Sequence, residues 1–175
     1  MRQAREIITT VIIALIVYVL LQFTVQPFKV YGQSMMPNVE PGDYIMINKI
    51  GYYFTTPHRG EVILFHHPRS PKTNLIKRVI GLPGDTVVIE DDKLFINDIE
   101  LEEDYVQGEP DYEYLRNEIP VDHYFVLGDN RNNSSDSRNG WTVPSENIIG
   151  KAWFNYWPVS HWGAIEHYSP DMASK

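Results

Sequence analysis

The chain has 175 residues, 43% of them hydrophobic. Setting aside roughly 25 N-terminal residues leaves enough for one domain with its own core. A net charge of −8 repels nucleic-acid phosphates and anionic headgroups, so neither is expected as a ligand of the soluble part. The absence of cysteine excludes disulfides, thiolate nucleophiles, zinc ribbons and iron–sulfur clusters.

Residues 7–25, IITTVIIALIVYVLLQFTV, carry no charge. As a helix they span about 28 Å, close to the hydrocarbon thickness of a bilayer. Arg2 and Arg5 precede the run. The positive-inside rule therefore puts residues 1–6 in the cytoplasm and 26–175 outside, in a single-pass cell-membrane protein. A cleavable signal peptide is the rival reading, but the run exceeds a usual h-region and no A-x-A-like site follows. A buried core helix would show a polar stripe, and none is present. Pro27 is expected to end the helix. The extended stretch from Val25 to Ser34 then reaches about 30 Å at most, so Ser34 is expected near the outer membrane face.

Beyond Pro27 the apolar pattern has a period near two. FKVYG and DYIMINK alternate, with Ile45 and Ile47 on one side. EVILFHH is a nearly continuous apolar run of the buried-strand type. NLIKRVIG follows, then consecutive hairpins in TVVIEDDKLFINDIEL with tips at Asp91-Asp92 and Asn97-Asp98. HYFVLGDN and GKAWFNYWP complete the set. The expected fold is mainly β, with folded-back antiparallel sheets behind one N-terminal transmembrane helix. Its core is expected over about 26–82 and 123–160, with an inserted lobe over about 83–122 that carries a solvated acidic face.

Three stretches can carry chemistry. YGQSMMPN holds Ser34, a poor nucleophile until a base takes its proton. Gly32 lets backbone approach a ligand and can free an N–H for an oxyanion. The second glycine of a G-x-S-x-G elbow is absent. LIKRVIGLPGD puts two cations amid apolar neighbours, with Leu75, Lys77 and Val79 on one face and Ile76, Arg78 and Ile80 on the other. Arg78 stays protonated near neutrality. Lys77 can serve as a base if burial lowers its pKa; otherwise it is a lysine snorkelling at a sheet edge. The six histidines offer no recognisable triad setting. The third stretch, GDNRNNSSDSR, fails as a calcium loop because Arg131, Ser134 and Gly140 stand where acidic or glycine positions are needed. Its short polar side chains suit a hydrogen-bonded support for a site.

In order, SMMPN, PGDYIMINK, KRVIGLPGD, GDNRNNSSDSR and NIIGKAWFNYWP resemble the boxes of bacterial type I signal peptidases with one N-terminal anchor. The resemblance covers essentially the whole chain. It implies a serine endopeptidase that removes N-terminal signal peptides from exported precursors after a small-residue site. It also implies Ser34 as nucleophile and Lys77 as general base, with no metal and no cofactor. Gly32 and Met35 would serve the oxyanion and the substrate, and Met35 and Met36 would cover the site with flexible apolar surface. Ser134 would orient the lysine through a hydrogen bond, Asp136 and Arg138 would pair, and Asp129 and Arg78 would support the site. Asn38 replaces the usual threonine, and Asn132 stands where an aspartate is frequent. The expected partners are signal-bearing precursors and the bilayer. A β-rich binding module without catalysis and a self-cleaving Ser-Lys protein akin to the repressor autoproteases are the competing readings.

Overall fold

The computed structural model describes residues 2–106 and 112–168. Helix α1, Arg2–Thr24, buries none of its residues and is apolar enough to cross a membrane. It stops three residues before Pro27, which instead lies in strand β1, Val25–Lys29, opposite Met46. The expectation that Pro27 ends the helix is thus corrected. β1 lies at the end of the sheet order, where a residue without an N–H is tolerated.

The main sheet continues through β2, Tyr44–Asn48, a short helix α2, Gly51–Phe54, then β3, Val62–His67, and β4, Ser70–Gly81. A second sheet holds β5, Thr86–Glu90, β6, Lys93–Ile96, β7, Ile99–Glu100, and β8, Tyr114–Glu118. The chain returns to the main sheet with β9, His123–Leu127, β10, Val143–Pro144, β11, Ile148–Trp157, and β12, Gly163–Ala164. The main order is β1-β2-β11-β3-β4-β9-β10 with β12 on β11; the second is β7-β6-β5-β8. The strand pairings among the described residues are antiparallel, as the period-two pattern suggests.

β3 and β4 sit inside the main sheet, and the alternation of a pleated strand explains their apolar runs. Val62, Leu64 and Ile76 pack with Val30, Ile45 and Ile47 on one side. Ile63, Phe65 and Val79 pack with Val126 and Trp141 on the other. A third cluster joins Ile80, Phe125 and Leu127 to Val87, Ile89 and Ile96 of the second sheet. Both hairpin tips fall where the sequence puts them. Asp91 and Asp92 have φ of 49° and 60°, and Asn97 and Asp98 have 54° and 66°, as two-residue hairpins require.

Candidate active site

Ser34 stands in a turn between β1 and β2, and Lys77 in the middle of β4. β4 lies between β3 and β9, so Lys77 is on an interior strand and not at an edge. Its side chain is 3% exposed, which excludes snorkelling. The amine Nζ lies 2.5 Å from Ser34 Oγ and donates to the Ile76 carbonyl at 3.0 Å. Burial lowers the Lys77 pKa to about 8; Asp136 and Asp129 pull it up and Arg138 pulls it down. At pH 7 roughly one amine in ten is then neutral, against roughly one in three thousand at an unshifted lysine.

The segment that follows β9 holds the Ser34 turn in place. Asn130 N–H donates to the Ser34 carbonyl at 3.0 Å, and Asn130 Nδ2 to the Gln33 carbonyl at 3.3 Å. Gly128 is there because nothing larger fits. A Cβ would lie 2.3 Å from Ser134 Oγ and 2.4 Å from the Ser34 carbonyl oxygen. Gly128 N–H donates to Asp136 Oδ2 at 3.1 Å. Asp136 also takes Arg138 Nε at 2.6 Å and Nη2 at 2.8 Å. Arg78, 1% exposed, forms a two-point pair with Asp129 through Nε at 2.8 Å and Nη2 at 2.7 Å. Asp129 also accepts from Asn38 Nδ2 at 2.9 Å.

Two expected roles need correction. The Ser134 hydroxyl is buried but finds no hydrogen-bond partner among the described residues, so it does not bond the lysine here. Met35 is completely buried among Val30, Val39, Ile45 and Ile47, so its side chain cannot face lipid or substrate. In a turn, consecutive side chains diverge, and Met35 turns inward while Ser34 turns to Lys77. Met36 is half-buried. Gly32 is exposed, with nothing within 4 Å of where a Cβ would stand.

Among the described residues, no histidine bonds Ser34. His123 Nδ1 lies 2.7 Å from Thr142 Oγ1, His161 Nδ1 lies 2.8 Å from Asp43, and His58 is 3.6 Å from Glu61. His67 accepts from the Arg69 N–H at 3.0 Å and faces the Trp141 ring, and the exposed His66 offers its carbonyl to Asn147. Burial lowers the His167 pKa to about 4, and its Nδ1 accepts from Val62 N–H.

Sequence reasoning missed Glu103 and Arg131. Arg131, 1% exposed, takes both Glu103 oxygens at 2.5 and 2.6 Å and donates Nε to the Gly128 carbonyl at 3.0 Å. Burial would lower the pKa of this guanidinium, but the Glu103 carboxylate outweighs that and raises it. The two residues are 28 apart in sequence, so no local pattern pairs them.

A family model described as signal peptidase, peptidase S26, matches residues 3–157. Signal peptidase I of Leptolyngbya laminosa is 44% identical over 141 residues, covering 77% of this chain and 70% of that one. Probable signal peptidase I-1 of Synechocystis sp. is 36% identical over 173 residues, covering 94% and 88%. A crystal structure of a signal peptidase I from Enterococcus faecalis V583 is 36% identical and covers 55% of this chain and 97% of that one, with a TM-score of 0.48.

Proposed function

The chain belongs to the signal peptidase family, peptidase S26, and on that premise we propose that Ser34 is its nucleophile and Lys77 its general base. It is a serine endopeptidase that removes signal peptides from precursors. The observation that carries the dyad is the 2.5 Å approach of a buried amine to the Ser34 hydroxyl. Neutral Lys77 takes the Ser34 proton as Oγ attacks the scissile carbonyl. The amine then gives that proton to the leaving mature N-terminus, and an acyl-enzyme remains on Ser34. Lys77 next takes a proton from water as that water attacks the acyl carbon, and then returns the proton to Ser34 Oγ as the acyl–Oγ bond breaks, freeing the signal peptide. Backbone N–H groups around residues 32–34 stabilise the oxyanion in this reading. Asp129, Arg78, Asp136 and Arg138 hold the loop in register.

In the same proposal, residues 7–25 lie in the bilayer with 1–6 cytoplasmic, and 26–175 work outside on precursors tethered in the same membrane. The core extends over about 26–82 and 123–160, and the lobe over about 83–122. The test is cleavage of a signal-bearing precursor by the detergent-solubilised chain. Ser34→Ala and Lys77→Ala each abolish it while the circular dichroism of the fold is kept. Cleavage by either variant overturns the dyad. A binding module without catalysis predicts no cleavage at all, and a self-cleaving protein predicts cleavage in cis alone.

A further inference from the structure

The segment after β7 leaves the second sheet and crosses onto the catalytic framework. Leu101 is buried in the cluster shared by the two sheets and anchors its start. Glu103 then clamps Arg131 through both oxygens. Arg131 in turn offers its carbonyl to Arg138 Nη2 at 2.7 Å, and Arg138 pairs with Asp136. Two residues on, the Tyr105 ring lies over the Arg78 guanidinium, 4.3 Å from its centre. Arg78 pairs with Asp129. The Tyr105 hydroxyl donates to Glu103, and its ring packs 4.8 Å from that of Tyr168. One short strap thus reaches both carboxylates, Asp129 and Asp136, that act on the Lys77 amine.

Asn38 closes the circuit from the other side. Its Nδ2 donates to the Tyr105 carbonyl at 2.8 Å and to Asp129 Oδ2 at 2.9 Å. An amide NH2 has two protons and can serve both acceptors, whereas a threonine hydroxyl has one. The departure from threonine at this position therefore matches a specific task, tying the strap to the turn that carries Ser34.

We propose that Glu103 and Tyr105, with Asn38 as their link to the nucleophile turn, are positioning residues that keep Ser34 Oγ and Lys77 Nζ in contact. This rests on the dyad assigned above. The charged and titratable groups involved are Asp129, Asp136 and Arg138 around Lys77, and Arg78, Arg131, Glu103, Tyr105 and Tyr112 behind them. Loss of the strap leaves Asp129 and Asp136 less well neutralised by Arg78 and Arg138, which raises the pKa of the amine.

The experiment measures kcat and KM against pH for the full chain in detergent with a signal-bearing precursor, for Tyr105→Leu, Asn38→Thr and Ser34→Ala. Tyr105→Leu keeps charge constant and is expected to lower kcat about tenfold or more. Asn38→Thr lowers it about threefold. In both, KM stays within about twofold and the pH midpoint of kcat rises, because the contact acts on the reacting pair and not on substrate affinity. Variants that melt at lower temperature yet keep wild-type kcat and midpoint below their melting point overturn the proposal. Should Tyr105→Leu fail to fold, an unchanged kcat and midpoint in Asn38→Thr overturns it alone. Ser34→Ala separates the two claims. Cleavage by Ser34→Ala removes the dyad itself, whereas an inactive Ser34→Ala beside fully active strap variants removes only the strap.

Discussion

In the proposed mechanism the Lys77 amine sets the pH dependence of the reaction. Because burial holds the Lys77 pKa at about 8, the reactive neutral form is the minority below that pH. The rate is expected to fall about tenfold per pH unit on the acid side and to level off above about 8, as read from kcat/KM between pH 6 and 10. The same burial has a stability cost of opposite sense. The unfolded lysine holds its proton up to 10.5 and the folded one only to about 8, so folding releases a proton between these values. Stability contributed by this group therefore rises as pH rises from 8 to 10.5, and below 8 the buried amine costs about 3 kcal/mol. Lys77→Met is expected to be inactive yet to melt no lower than the parent at pH 7, measured by a thermal scan in detergent. Lys77→Arg keeps a cation with no accessible neutral form, and its activity is expected to vanish. Residue type alone left Lys77 open between a base and a snorkelling lysine, and the ordered boxes of the resemblance singled out Ser34 and Lys77 as the expected dyad. Whether Lys77 sat at an edge or inside was not legible, since strand order is a property of the whole sheet.

The elements repeat this division. The tips at Asp91-Asp92 and Asn97-Asp98 could be read from two adjacent residues, because the left-handed backbone of a two-residue hairpin is a local demand. Replacing Asp91-Asp92 by Asn-Gly, which relieves the positive φ at Asp92, is expected to raise stability by about 0.5–1 kcal/mol with cleavage unchanged, read as a melting temperature and a rate. β8 was hidden in an acidic, turn-rich stretch, because its place is set by β5, to which it pairs through Thr86 and Glu118. Gly128 shows the reverse case, a residue whose size is dictated by groups distant in sequence. Gly128→Ala drives a methyl against the Ser34 carbonyl and Ser134 and is expected to reduce kcat at least about tenfold, with a loss of stability of about 1–3 kcal/mol. The Arg78–Asp129 pair is buried at both ends, so Asp129→Asn leaves a guanidinium without its counter-charge. A loss of about 3–5 kcal/mol is expected in the melt, with cleavage falling in step with the folded fraction at a minimum.

At the scale of the molecule, α1 buries nothing against the rest, so removing residues 1–24 takes no side chain from the core. The truncated chain is expected to keep its melting temperature and its rate on short soluble peptides. Its rate on precursors embedded in vesicles is expected to fall, because anchor and substrate no longer share a surface. The apolar run, the period-two strands and the hairpin tips were determined by the sequence alone, since each depends on neighbours a few residues away. So were the ordered boxes that gave the resemblance. Tertiary structure alone decided that Met35 turns into the core, that Pro27 lies in an edge strand, and that Ser134 is unpartnered among the described residues. It alone joined Asn38 to Tyr105, 67 residues away, and Glu103 to Arg131. Such contacts form between side chains whose separation in space is fixed by sheet order and packing, and no local pattern of polarity carries that distance.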